Sequence, residues 1–124
     1  MQLEYLELSE LRKLLDEKKI TSVEMTRYFL ERAKKLNPQL NAYLTICEEH
    51  ALAQAKAADA RLSELLAVSG KPPALLGIPY AAKDLFCTKS IRTTASSKIL
   101  DSYIPAHNAT TIEKLNEQGA VLIG

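Results

Sequence analysis

The pattern that most restricts the fold is a strand, a helix and a second strand in the last part of the chain. An apolar run over residues 75–82 predicts a buried strand, residues 111–118 predict a helix, and Ala120-Val-Leu-Ile123 predicts a second strand. Strands that are joined through a helix usually lie parallel in one sheet, because the crossover returns the chain to the edge from which it started. The expected class is α/β, with the first strands of a mixed sheet and a crossover helix.

Two sequence signals mark the ends of the crossover helix. Thr110 and Glu113 have the T-x-x-E spacing of a capping box, in which two side chains satisfy free N–H groups at the helix start. Gly119 stands where a helix commonly ends in a left-handed residue. These signals predict a helix over residues 111–118, with Thr110 as its N-cap and Gly119 as its C-cap.

The first half of the chain is predominantly helical. Leucines at helical spacing predict a helix over residues 9–19. Thr21 and Glu24 form another T-x-x-E signature, which predicts a second helix that ends near Asn37, before Pro38.

Two further elements complete this half. Residues 41–47 are rich in strand formers and predict a short strand, whereas residues 51–67 consist mainly of strong helix formers and predict a long helix. The run Ser69-Gly-Lys-Pro-Pro73 then breaks the pattern. We expect a helical region with one short strand over residues 1–70 and a second region over residues 71–124.

Charge and hydropathy exclude several classes of protein. Sixteen basic and fifteen acidic side chains leave a formal net charge of +1, so no overall field favours direct binding to nucleic acid. No apolar stretch approaches the roughly 20 residues that span a bilayer, and the start of the sequence does not have the pattern of a secretory signal. A cytoplasmic protein that does not contact a membrane is expected.

The two cysteines, Cys47 and Cys87, lie far apart, and we interpret both as free thiols. Cys47 and His50 form a C-x-x-H pair, but the other histidine, His107, is remote, and a zinc site needs three or four ligands. We expect no metal site in this chain.

Lys83 is the strongest candidate for a catalytic side chain. It follows the apolar run 75–82 directly and should lie at the carboxyl end of a buried strand, where ligands collect in open α/β sheets. Desolvation lowers a lysine pKa, and a value of roughly 7 to 8 makes the neutral amine available as a base. The plainer alternative is that Lys83 and Asp84 only mark where a strand reaches the surface. Whether their side chains meet is not readable from the sequence.

Motifs along nearly the whole chain resemble the amidase signature family. Gly77-Ile-Pro-Tyr-Ala-Ala-Lys83-Asp84 is similar to the family's G-[IV]-P-x-x-x-K-D segment, and Ala120-Val-Leu-Ile-Gly124 resembles the strand before its next lysine-containing stretch. Other segments resemble the A subunits of the amidotransferases that act on glutamyl-tRNA(Gln) or aspartyl-tRNA(Asn). They are Ser22-Val-Glu, Asn37-Pro-Gln-Leu-Asn-Ala-Tyr43, the stretch from Cys87 to Leu100 and the stretch from His107 to Leu115.

The resemblance implies that Lys83 is the catalytic base of a serine–serine–lysine triad and that residues 71–124 begin the catalytic core. Both family serines would lie beyond Gly124, where an apolar strand ends without a polar tail, so we interpret the chain as cut. Ser96-Ser97 lacks flanking glycines and matches the family's Thr-Thr-Ala-Ser-Lys stretch, and we expect no catalytic role for it. Neither His50 nor His107 lies beside a nucleophile motif.

The resemblance also implies a function. The full-length protein would hydrolyse glutamine and pass ammonia to a partner subunit, which amidates glutamate or aspartate carried on tRNA. ATP and magnesium would belong to that partner, and the B and C subunits would be the protein partners, with tRNA contacted only through the complex. A stand-alone amidase of the same family is the alternative. The isolated chain is expected to be an inactive module that self-associates through an exposed sheet edge.

Three positions depart from the family pattern. Ser90 stands where glycine is usual, which suggests that this loop does not need a positive φ angle. Asn108 replaces a common acidic residue and should still bond locally near the helix start. Tyr80 occupies a position that is often small or aliphatic.

Overall fold

A computed structural model describes residues 2–124, so the first residue of the predicted region 1–70 lies outside the described residues. Within that range the chain forms four α-helices, two short strands and two 3₁₀ turns. They follow the order 3₁₀ Leu3–Tyr5, α1 Leu8–Asp16, α2 Ser22–Leu40, α3 Glu48–Ala67, β1 Pro79–Tyr80, 3₁₀ Lys98–Leu100, α4 Thr110–Gln118 and β2 Val121–Leu122.

The predicted crossover unit is confirmed. Strands β1 and β2 pair in parallel, with Pro79 opposite Val121 and Tyr80 opposite Leu122. Backbone hydrogen bonds extend the ladder beyond the strands at both ends, from the Gly77 N–H to the Gly119 carbonyl (2.8 Å) and from the Ala82 N–H to the Gly124 carbonyl (2.9 Å). The class is therefore α/β, although the regular part of β1 is much shorter than the predicted run 75–82.

Helix α2 begins as the capping box predicts. The Thr21 hydroxyl accepts from the Glu24 N–H (3.1 Å), and a Glu24 carboxylate oxygen accepts from the Thr21 N–H (2.8 Å). Two further N–H groups of this first turn, those of Ser22 and Val23, donate to the carboxylate of Asp59 on α3. The start of α2 is thus tied to α3 by a charge-assisted contact.

The predicted end of α2 is wrong, because Pro38 lies inside the helix, which continues to Leu40. A proline near the end of a helix removes only its own N–H donor there, and the Asn41 N–H still reaches the Asn37 carbonyl (2.8 Å). Asn41 then adopts a left-handed conformation, with φ +49°, and ends the helix.

The bounds of α1 and α3 also differ from the prediction. Helix α1 ends at Asp16 rather than near residue 19, because Lys18 turns left-handed (φ +54°) and the N–H of Lys19 donates to the Leu14 carbonyl (2.9 Å). Helix α3 begins at Glu48, three residues before the predicted start.

Residues 41–47 do not form the predicted strand. They are an extended connection that contacts the end of β2 through a hydrogen bond from the Cys47 N–H to the Ile123 carbonyl (2.9 Å). Their strand-forming composition suits an extended backbone, but the ladder that defines a strand needs a run of such pairings.

Of the two predicted caps of α4, the C-cap is confirmed and the N-cap is wrong. Gly119 ends the helix at φ +77°, as expected, with the Ala120 N–H donating to the Leu115 carbonyl (3.0 Å). The N-cap is Ala109 and not Thr110, which already belongs to the first turn, so the predicted capping box does not form. Ala109 is held in place by its own N–H, which donates to the Cys87 carbonyl (2.7 Å).

The core joins the two predicted regions. Helices α2 and α3 pack against each other and against the strands, and α3 turns its small residues Ala51, Ala55 and Ala58 inward. Leu76 and Ile78 share one buried cluster with leucines of α1, while Val121 and Ile123 share another with α3. The division at residue 70 stays a prediction, since apolar packing crosses it.

No helix within residues 2–124 has the length and apolarity needed to cross a membrane.

Candidate active site

Lys83 lies at the carboxyl edge of the sheet, where the sequence predicts it. The last ladder bonds run from the Ile123 N–H to the Tyr80 carbonyl (3.0 Å) and from Ala82 to Gly124. Immediately afterwards the Lys83 carbonyl accepts from the N–H groups of Leu85 and Phe86 (2.8 and 3.0 Å), and the chain turns away. Lys83 therefore lies where the chain leaves the sheet after β1.

A cavity of about 630 Å³ opens beside Lys83. It is bounded by the connection after α2, the segment around Lys83, the loop that follows, and the end of β2; the lining residues include Tyr43, Thr45, Lys83, Arg92, Ser96 and Gly124. Lys83 itself is exposed, so residues 2–124 do not supply the burial expected for a desolvated base. Ligands of α/β proteins bind at this end of a parallel sheet.

Asp84 does not pair with its neighbour but with Thr94. One carboxylate oxygen accepts from the Thr94 N–H (2.9 Å) and the other accepts from the Thr94 hydroxyl. Partial burial raises the pKa of Asp84, but the hydrogen bonds from Thr94 and from the Ser96 backbone outweigh it, with help from the Arg92 charge. The net result is a pKa below the usual value for aspartate.

The residues that bond to Asp84 form an unusual turn. Ala95 and Ser96 both adopt left-handed conformations, at φ +47° and +58°, and the Ser97 N–H donates to the Thr94 carbonyl (2.9 Å). Two consecutive left-handed residues define a type I′ turn, which glycine and asparagine normally occupy. We refer to residues 94–97 as the left-handed turn. Its residue Ser96 lines the same cavity as Lys83.

The connection between α2 and α3 forms another wall of the cavity. The Asn37 side-chain amide binds both backbone groups of Tyr43: its oxygen accepts from the N–H (2.8 Å) and its nitrogen donates to the carbonyl (3.0 Å). Gly124 lies so close that a Cβ there would stand 2.5 Å from the Thr45 carbonyl oxygen. The absence of a side chain at Gly124 lets this wall cross the end of β2.

Two groups near the sheet are shielded from water. Burial, together with the nearby Cys47, raises the pKa of Tyr80 to about 12. The Tyr80 hydroxyl is buried and has no hydrogen-bond partner within residues 2–124. Burial also raises the pKa of the Cys47 thiol, which favours the protonated and less reactive form.

Several residues considered from the sequence do not line the cavity beside Lys83. His50 is exposed in the first turn of α3, and His107 is exposed in the loop before α4. Cys47 and Cys87 are both free thiols. The Ser97 hydroxyl accepts from the Ile99 N–H (3.3 Å) and so caps the short 3₁₀ turn.

The expectations for Ser90 and Asn108 are wrong. Ser90 does adopt a positive φ angle, +65°, despite its side chain. Its N–H donates to the Pro105 carbonyl (2.9 Å), which helps to hold that conformation. The Asn108 side chain bonds across the loop to the Lys89 N–H (2.7 Å), rather than to the start of α4.

Sequence reasoning missed the cavity walls around Lys83. The bonds between Asp84 and Thr94 and the approach of residues 41–45 join parts of the chain that no local pattern connects. The Asn37–Tyr43 motif belongs to the family resemblance, and its spacing is the one signal that marks this wall.

A comparison with protein-family models decides the family. The amidase family model matches residues 24–124, which is most of the chain. The chain belongs to the amidase family.

Curated relatives place the chain near one branch of this family. The A subunit of the glutamyl-tRNA(Gln) amidotransferase of Coxiella burnetii (strain Dugway 5J108-111) is 51% identical over 117 residues, which are 94% of this chain and 23% of that protein. The corresponding protein of Dehalococcoides mccartyi (strain ATCC BAA-2266 / KCTC 15142 / 195) is 48% identical over 96% of this chain and 24% of its own length. The chain thus spans about a quarter of the length of these relatives.

A solved structure confirms the fold. An amidase family protein from Bacillus anthracis str. Ames matches with a TM-score of 0.85 and 28% identity, over 97% of this chain and 23% of its own. The α/β arrangement of residues 2–124 is therefore the first part of the amidase fold.

Proposed function

We propose that the complete protein hydrolyses glutamine and supplies the ammonia to a partner subunit that converts Glu-tRNA(Gln) or Asp-tRNA(Asn) to the amidated form. The observation that carries this proposal is Lys83, which lines a cavity at the carboxyl edge of the sheet. The surrounding sequence is about half identical to the A subunits of amidotransferases.

Lys83 acts in this proposal as the general base. An alkoxide nucleophile forms at neutral pH only if a neighbouring group takes its proton, and an unprotonated lysine amine can do so. The nucleophilic serine and the bridging serine would come from sequence after Gly124. The proton passes from the nucleophile through the bridging serine to Nζ of Lys83 and returns to the departing ammonia. Residues 1–124 alone would then be inactive.

The proposal also assigns partners and location. B and C subunits would complete the enzyme, and ATP and magnesium would serve the partner that activates the tRNA-bound carboxylate. The protein would contact aminoacyl-tRNA only through the complex, in the cytoplasm. Leu44, which lines the cavity, and Leu85, which lies two residues after Lys83, are exposed apolar side chains that further polypeptide would cover.

The test is release of ammonia from glutamine by the complete gene product, assembled with its partner subunits. Lys83→Ala should lower kcat by roughly 100- to 10,000-fold, because general-base catalysis contributes about that much. Lys89→Ala removes an exposed lysine from the loop that follows Lys83 and should leave the rate unchanged. Hydrolysis of simple primary amides without hydrolysis of glutamine would refute the amidotransferase assignment and favour a stand-alone amidase. Full activity of Lys83→Ala would refute the base role.

A further inference from the structure

The left-handed turn is held in an unfavourable conformation. A residue with a Cβ is crowded at positive φ, and Ala95 and Ser96 adopt such angles in succession without the glycine or asparagine that a type I′ turn normally contains. Such conformations persist only where the surrounding structure determines them, and they are concentrated at functional sites. A specific contact must therefore hold this turn.

Asp84 supplies that contact. Its carboxylate accepts from both the N–H and the hydroxyl of Thr94, and its backbone carbonyl accepts from the Ala95 N–H (2.7 Å). Three bonds therefore join Asp84 to the first half of the turn, in addition to the Ser96 backbone contact that lowers its pKa. Two of them end on a charged group, which makes them stronger than bonds between neutral groups.

The position of Asp84 connects the turn to the proposed base. Asp84 follows Lys83 directly, inside the tight bend in which the Lys83 carbonyl accepts from the N–H groups of Leu85 and Phe86. The far side of the turn carries Ser96, which lines the cavity together with Lys83. A shift of the turn would therefore move one wall of the cavity relative to Lys83.

We infer that Asp84 is a positioning residue, which holds the left-handed turn in its strained conformation and thereby fixes the cavity wall beside Lys83. Asp84 does not touch the reacting atoms in this inference; it acts through the turn and the Lys83 bend. The catalytic consequence rests on the proposed function, whereas the structural part does not.

The structural part is tested by amide hydrogen exchange in the complete gene product. Asp84→Ala should accelerate exchange at Thr94, Ala95 and Ser97 while leaving α3 and α4 protected, because the turn loses its anchor. Glu64→Ala removes an exposed carboxylate from α3 and should change none of these rates. Unchanged exchange in the turn of Asp84→Ala overturns the inference, whether or not the protein hydrolyses glutamine.

The catalytic part is tested by kinetics per folded molecule. Asp84→Ala should lower kcat for glutamine hydrolysis by roughly 10- to 100-fold, since a misplacement of about 1 Å at a reacting group reduces rates on that order. Removal of a purely structural contact would reduce the amount of folded enzyme but not kcat. Normal kcat in Asp84→Ala would overturn the catalytic part.

A rescue variant separates the turn from other effects of Asp84. Replacing Ala95 and Ser96 by glycine removes the steric penalty for positive φ. The triple variant Asp84→Ala/Ala95→Gly/Ser96→Gly should therefore regain several-fold in kcat over Asp84→Ala. Absence of any recovery would show that the carboxylate acts on Lys83 without the turn, and would overturn the mechanism inferred.

A wild-type protein that leaves glutamine intact would refute the proposed function alone, and the exchange experiment would still decide the role of Asp84.

Discussion

The contact between Asp59 and the start of α2 provides the sharpest prediction about stability. Its carboxylate oxygens accept from the Ser22 N–H (2.7 Å) and the Val23 N–H (3.1 Å), so one side chain of α3 satisfies two donors that no helical carbonyl can reach. Thr21 already accepts from the Glu24 N–H. Removal of Asp59 leaves the other two donors without this acceptor.

Asp59→Ala should lower the free energy of unfolding by about 2 kcal/mol. Replacing a side chain that accepts from the free N–H groups at a helix start by alanine costs about 0.5–2 kcal/mol. Asp59 is only partly buried, but it is charged and accepts from two donors, so the upper end of this range applies. The change should leave the slope of the denaturation curve unaltered, because the same surface is exposed on unfolding.

Urea unfolding followed by far-UV circular dichroism measures this difference. Asp59→Asn keeps one acceptor oxygen and should lose about half as much as Asp59→Ala. Glu64→Ala, on the exposed face of the same helix, should change the free energy of unfolding by less than about 0.5 kcal/mol. An effect of Asp59→Ala no larger than that of Glu64→Ala would refute the capping argument.

Three further predictions follow from single positions. Gly119→Ala should destabilise the protein by about 2 kcal/mol in urea unfolding, since the residue lies at φ +77° and the new Cβ would meet Leu76 Cδ1 at 2.5 Å; a neutral result would contradict this. Tyr80→Phe should be neutral or slightly stabilising, because it removes a buried hydroxyl without a partner within residues 2–124. Tyr28→Phe removes the hydroxyl that donates to Glu4 and should be destabilising; equal effects of the two changes would contradict the distinction. Because the folded state lowers the pKa of Asp84, its contribution to stability is present above the ordinary value of 3.8 and is lost as the pH falls through the lowered pKa. Asp84→Asn should therefore flatten the stability profile below about pH 4, and a profile identical to wild type would refute this.

Local signals predicted those elements whose determinants lie within a few residues. The capping box of Thr21 and Glu24 forms because both partners lie in one turn, and Gly119 ends α4 because its own backbone adopts the required angle. The same spacing at Thr110 and Glu113 predicted a second capping box, which does not form. A bond from the Ala109 N–H to the distant Cys87 carbonyl sets the start of α4 one residue earlier.

Strands were harder to predict from the sequence than helices. Residues 41–47 have the composition of a strand and remain an extended connection, because pairing needs a free neighbour and only the Cys47 N–H finds one, at Ile123. Lys83 was placed correctly at the carboxyl edge of the sheet, since the apolar run before it and the crossover after it both point there. Its exposure was not foreseen, because burial depends on which other segments cover it.

Local sequence patterns were sufficient to predict the α/β class, the parallel crossover of β1 and β2, the start of α2 and the position of Lys83. These features follow from periodicity, caps and short motifs, all of which act within one element or between consecutive elements. The folded chain was needed to show that Asp84 pairs with Thr94 instead of Lys83, that Ala95 and Ser96 adopt left-handed conformations, and that residues 41–45 close one side of the cavity. Those contacts join groups whose spacing carries no periodic signal, so they are fixed by packing and by hydrogen-bond satisfaction in the folded chain.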